Sequence, residues 1–104
     1  MDIIAQRVLK ILKSPTAEVT VSIGRPFLDG QDFKCEYTIE WPEHKQHAYS
    51  MGIDAIQALM LALQRLAADV SFSDYAKSKQ LVWLEPEGGF GLPLPPDLTE
   101  KEVE

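Results

Sequence analysis

One hundred and four residues are enough for one domain around one core. Apolar residues at 45% and charged residues at 25% mark a globular chain and exclude disorder, and no run nears the ~18 apolar residues of a membrane helix. The formal charge of −6 argues against nucleic acid as a partner, and half of it lies in "DLTEKEVE", read as an acidic, flexible tail at 97–104 behind a single domain at 1–96.

Residues 3–12 fit two periods. Ile4, Val8, Ile11 and Leu12 suit a helix, whereas Ile3, Ala5, Leu9 and Ile11 suit a strand with Arg7 as the exception. Ser14-Pro15 ends the segment either way. The "MDIIAQRVLKILK" start lacks the charge-then-apolar order of a secretory signal, and the lone Cys35 has no internal disulfide partner. Both favour a cytoplasmic location.

Strands follow at 17–24 and 33–41. Val19, Val21 and Ile23 point inward in the first; Phe33, Cys35, Tyr37, Ile39 and Trp41 alternate with Lys34, Glu36, Thr38 and Glu40 in the second. "GRPFLDGQD" between them reads as a long hairpin loop. Pro42 ends the second strand, and 45–51 returns as a shorter one with His47, Tyr49 and Met51 on one side.

The main helix is expected over 54–70. Asp54 caps it, Gln57 completes a capping-box spacing, and Ile56, Leu59, Met60, Leu63, Leu66, Ala67 and Val70 form the stripe expected to face the core. Its back would then carry Ala58, Leu61, Arg65 and Ala68, with little charge, which suggests cover on a second side by residues 71–80 and the proline arm or by another subunit. "SFSDYAKSKQ" adds a short helix capped by Ser71 or Ser73, and 81–85 a last strand. Strands followed by a helix imply α+β: a mostly antiparallel sheet of four to five strands with one main helix on one face.

The blocks "VTVSIGRP", "CEYTIE", "GIDAIQALMLALQRL" and "LVWLEPEGGFGLP" resemble those of a small bacterial family whose domain has no assigned function. The resemblance spans residues 3–94. It implies a bacterial source and a strand at the start of the chain, and it supplies no catalytic residues.

Candidate chemistry is sparse. "EGGFGLP" lacks the lysine and following helix of a phosphate loop; Gly88-Gly89 is expected to reverse the chain so that Phe90, Leu92 and Leu94 lie back over the core. His44 and His47, three apart, point to opposite faces on a strand and converge only if 44–47 form a turn; with no set of three or four ligands at useful spacing, neither a metal site nor a cofactor is expected. Inward-facing Cys35 reads as packing. None of the serines sits in a nucleophile elbow, and Glu36 and Glu40 lie roughly 13 Å apart along one strand, too far for a tight acid pair. The expectation is therefore a protein that is not an enzyme.

Between residues 29 and 43, Asp29, Asp32, Glu36, Glu40 and Glu43 face a single lysine, Lys34. With Thr20, Ser22 and Thr38 they would make an open, acidic sheet face suited to a basic protein partner. A bacterial immunity or antitoxin-type inhibitor that masks a toxin's basic site fits this reading. The alternative is an assembly module that forms a homodimer through Leu61 and Arg65 on the back of the helix. A third class, a small-molecule site between helix and sheet, would draw on Tyr37, Tyr49 and Trp83.

Overall fold

Unbroken alternation makes the sheet. In the computed structural model, which describes residues 1–86 and 88–95, six antiparallel strands pair in one sheet: β1 (Ile3–Ile11), β2 (Glu18–Gly24), β3 (Phe27–Asp29), β4 (Asp32–Glu40), β5 (Lys45–Gly52) and β6 (Leu81–Val82). Two helices complete the fold, α1 (Ala55–Ser71) and α2 (Asp74–Lys77). The fold is α+β, as expected, with six strands where four to five were read.

The extra strand comes out of the expected loop. β2 pairs with β4 in the register Ile23↔Tyr37, and β3 pairs with the same strand in the register Phe27↔Lys34, slipped by one residue. β2 and β3 are thus one long strand bulged at Arg25–Pro26, where proline offers no donor to the ladder. β5 takes the other edge of β4, while β1 lies beside β2 and β6 beyond it. The expected acidic tail at 97–104 lies outside the described residues.

Odd-numbered residues of β1, β2 and β4 face the helix. Leu9, Val19, Cys35, Tyr37 and Ile39 are fully buried there with Val21 and Ile23. α1 lies over β4 and β5 and only touches β2. Asp54 caps it by accepting from Gln57 N at 2.8 Å, while Gln57 Oε1 accepts from Ile53 N at 2.7 Å, one residue earlier than a standard capping box.

The face of α1 differs from the expectation in its first half. Leu66, Ala67 and Val70 are buried as read, but Ile56 and Met60 are 69% and 54% exposed, while Ala58 and Ala62 are fully buried. The cause is close approach. A Cβ on Gly52 would stand 2.4 Å from Ala58 N, so the end of β5 runs directly beneath the first turns and only small residues fit between. The alanine stripe decides the orientation, not the largest side chains.

The other half of the buried face is covered by the closing arm. The expected strand at 81–85 stops at Val82, because Leu84 adopts a left-handed backbone with φ 67°. Phe90 and Leu92 pack back onto the core as expected, and Leu94 is half-buried. Arg7, the exception to the strand pattern, explains how the arm is held. Its guanidinium stands 3.8 Å above the Trp83 ring and donates to the carbonyls of Phe90 and Gly91, both at 2.9 Å. Gly91 lies so close that a Cβ there would meet the Trp83 ring at 2.1 Å, and its φ of 65° also demands glycine. Among the described residues, no helix is long and apolar enough to cross a membrane.

Candidate functional site

The five acids of the expected binding face spread along the whole length of β4. Asp29 and Asp32 flank the two-residue Gly30-Gln31 loop, exposed and directly opposite each other. Eight residues on, Glu40 lies roughly 26 Å from Asp32 at ordinary strand rise. Glu36 and Glu40 point away from the helix, each beside a basic group of β5: Glu36 Oε2 is 2.9 Å from His47 Nε2, and Glu40 Oε1 is 3.8 Å from Lys45 Nζ. Lys34 stands 4.2 Å from the centre of the Tyr49 ring, and Lys10 pairs with Glu18. The carboxylates of the outer face therefore have donors beside them, and exposed Ile4, Val8, Tyr49 and Met51 lie among these pairs.

Two further expectations about this face change. Ser22 and Thr38, read as wet, are buried at its centre, where Gln6 Nε2 donates to Ser22 Oγ at 2.9 Å. Tyr37, Tyr49 and Trp83 do not meet: Tyr37 lies in the core, Tyr49 outside, and Trp83 under Arg7. The register pairs Glu36 with Tyr49 on the outer face and Tyr37 with Ala48 on the core face, so period two keeps the two tyrosines on opposite sides.

Glu43 belongs to a different arrangement, at the end of the sheet where β4 turns into β5. Trp41 closes β4, and its ring stacks on Tyr75 of α2 with centroids 5.8 Å apart and planes 13° from parallel. Ser73 caps α2 by accepting from Ala76 N at 3.2 Å, as one of the two expected caps, and so sets Asp74 and Tyr75 beside the turn. Trp41 Nε1 donates to Gln46 Oε1 at 3.1 Å, and Gln46 Nε2 donates to Asp69 Oδ2 at 2.9 Å. The buried Tyr37 hydroxyl donates to the same Asp69 oxygen, and Tyr75 donates to Glu43 Oε2 at 2.8 Å. These groups line an open cleft of about 240 Å³, walled by Trp41, Glu43, His44, Gln46, Asp69, Ser73, Asp74 and Tyr75.

The electrostatics follow from these bonds. Burial, then the bond to Asp69 and its charge, push the Tyr37 phenol well above the ordinary tyrosine range, with Arg65 pulling weakly the other way. The bond to Glu43 raises the Tyr75 phenol first, with smaller contributions from burial and from the carboxylate charge. Both hydroxyls stay protonated as donors at neutral pH. Three carboxylates line the cleft, and His44 is the only basic side chain among its walls.

Other residues singled out in the sequence fall elsewhere. His47 pairs with Glu36 on the outer face, while His44 Nδ1 lies 3.8 Å from Glu43 in the turn, so the two histidines do not converge. The described residues contain no cluster of three or more metal-ligating side chains. Cys35 is buried, donates to Gly24 O at 3.3 Å, and has its thiol pushed up to about 11, by burial first and Glu36 second. Leu61 and Arg65 lie outward on α1 as expected, with Arg65 Nη1 donating to Tyr49 O at 2.8 Å.

Of the cleft, only Glu43 was singled out as a binding residue. Trp41 is core, as its place in the strand alternation implies, and also walls the cleft, while no spacing in the sequence brings Gln46, Asp69, Ser73, Asp74 and Tyr75 to it. One signal existed: Asp69 falls on the Ala58–Ala62–Leu66 stripe, where a charged residue facing the core requires partners.

A family model described as a domain of unknown function (DUF6968) matches residues 5–94. No curated protein and no solved structure matches the chain.

Proposed function

This chain belongs to the DUF6968 family, and from its own geometry we propose a small, non-catalytic, bacterial protein-binding domain that docks a basic partner. The immunity or antitoxin-type inhibitor remains the form of that reading we adopt: a cytoplasmic protein that works by occlusion, covering a toxin's basic site with its own carboxylates. The supporting observation is the gathering of Glu43, Asp69 and Asp74 around the Trp41–Tyr75 stack, with Glu40 adjacent on the outer face. Carboxylates held by hydrogen bonds beside aromatic surface offer the partner both charge and desolvated contact area. Asp29, Asp32 and Glu36 would add little to the docked contact, since exposed charges beyond the Debye length of ~8 Å are screened at physiological salt.

The test starts with capture of the partner from native cells and then uses the purified pair. Glu43→Lys with Asp74→Lys is expected to weaken binding by tenfold or more, while Glu36→Lys with Glu40→Lys has a smaller effect. Unchanged affinity in the first pair contradicts the docking surface.

A second reading has its own observation. Ile53 is 77% exposed, and with Ile56 and Met60 it leaves large apolar side chains in solvent near the start of α1, with Leu61 on the same helix. This favours self-association as an assembly module. Sedimentation at several concentrations decides it: a dimer abolished by Ile56→Glu or Leu61→Glu supports the module, and a clean monomer counts against it.

A further inference from the structure

We infer that the cleft between the β4–β5 turn and α2 is a socket for one guanidinium group, an arginine side chain presented by the partner. The inference rests on the basic-partner reading and narrows it to one side chain. Size comes first. At about 240 Å³ the cleft falls below the roughly 300–1,000 Å³ of sites that enclose whole small molecules, and suits a single side chain.

Charge comes second. Glu43, Asp69 and Asp74 have His44 as the one basic residue lining the cleft with them, while Arg65 acts on the Tyr37 hydroxyl from outside the lining, so acids exceed bases there. Both bonds to Asp69, from Tyr37 and Gln46, fall on Oδ2, so the carboxylate is fixed in place with Oδ1 still able to accept. Glu43 is steadied in the same way by Tyr75. Held carboxylates lose little freedom when a cation arrives.

The aromatic pair provides the third argument. Elsewhere this chain places cations over its rings: Arg7 over Trp83 at 3.8 Å, Lys34 over Tyr49 at 4.2 Å and Lys77 over Phe72 at 6.0 Å. Among the described residues no cation lies over Trp41 or Tyr75, the two rings that carboxylates surround. A planar guanidinium both stacks on an aromatic face, here that of half-buried Tyr75 since Trp41 is only 9% exposed, and donates in a fork to carboxylates; a compact ammonium does only the second. Free arginine as the ligand is disfavoured, because its own carboxylate would meet the three that line the cleft, which outnumber the nearby basic groups His44 and Arg65.

Amide and indole NMR spectra of the full chain, at constant ionic strength, provide the test. N-acetyl-arginine amide is titrated against its uncharged isostere N-acetyl-citrulline amide, N-acetyl-lysine amide and free L-arginine. The expected result is a saturable shift of the Trp41 indole N–H, with amides of 43–46 and 73–75 moving and the Trp83 indole still. Citrulline amide gives no such shift, and the lysine analogue and free arginine bind more weakly. Glu43→Gln and Asp69→Asn each weaken binding about tenfold, the loss of one charge-assisted hydrogen bond. Asp74→Asn, on an exposed helix end, keeps the test open if Asp69→Asn does not fold.

An equal shift with citrulline amide, or binding unaltered in the folded variants, overturns the socket. Tighter binding of free arginine reassigns the site to a small metabolite and overturns the side-chain source. If Glu43→Lys with Asp74→Lys abolishes partner binding while the arginine amide causes no shift, the socket fails and the docking surface stands.

Discussion

Two acidic regions lie at opposite ends of β4. At the hairpin tip, Asp29 and Asp32 face each other across a two-residue loop, both exposed. At the other end, Glu43 and Asp69 are held by Tyr75, Gln46 and Tyr37 around a stacked Trp41. Near in kind, the two regions differ in what the fold has done with the carboxylates. The tip sets like charges directly opposite each other, which is destabilising; the cleft holds Glu43 and Asp69 by hydrogen bonds beside aromatic surface. Charge density along a sequence locates acids, whereas hydrogen-bonded placement makes a site of them.

Breaking the cleft should therefore cost stability, and breaking the tip should not. Trp41→Ala removes a large side chain that is only 9% exposed, together with its stack, and is expected to cost about 3–5 kcal/mol in chemical denaturation. Asp69→Ala leaves the buried Tyr37 hydroxyl and the Gln46 amide without their acceptor, for a loss of about 2–3 kcal/mol by the same method. A loss under half a kcal/mol in either would mean that the network does not hold the cleft.

The pH dependence sharpens the same contrast. Because the Tyr37 phenol is raised in the fold, its contribution is complete below the unfolded tyrosine value of about 10 and disappears as pH climbs above it toward the folded value. Stability should fall over that alkaline range, and Tyr37→Phe should flatten the fall. An identical slope in the variant would remove Tyr37 from the account. The smallest effect is at the tip. Asp32→Asn relieves like charges directly opposite each other and should stabilise by about a few tenths of a kcal/mol, opposite in sign to the cleft variants.

Much of the fold is legible in the sequence because period two is strict in β2 and β4, and Pro42 marks where β4 ends. β3 is hidden because three residues after Arg25-Pro26 are too few to show a period. The length of α1 was readable but its rotation was not. Large apolar residues suggested a face through Ile56 and Met60, while Gly52 brings the backbones so close that alanine must lie beneath. The arm illustrates the reverse case: Arg7 looked like an error in a strand and turns out to fasten residues 90 and 91. The cleft was the least legible part. Its walls come from positions 41–46, 69 and 73–75, and only the packing of α1 and α2 against the end of the sheet brings them together.

The most direct test compares two double charge reversals with the same formal change, Glu43→Lys with Asp74→Lys and Asp29→Lys with Asp32→Lys, in binding to a capped arginine peptide at physiological salt. The roughly 26 Å between the two ends exceeds the screening length of ~8 Å, so the first pair should abolish binding and the second should leave affinity within about twofold. Equal weakening by both pairs would mean that the peptide senses overall charge, and that the cleft holds no special place in this protein.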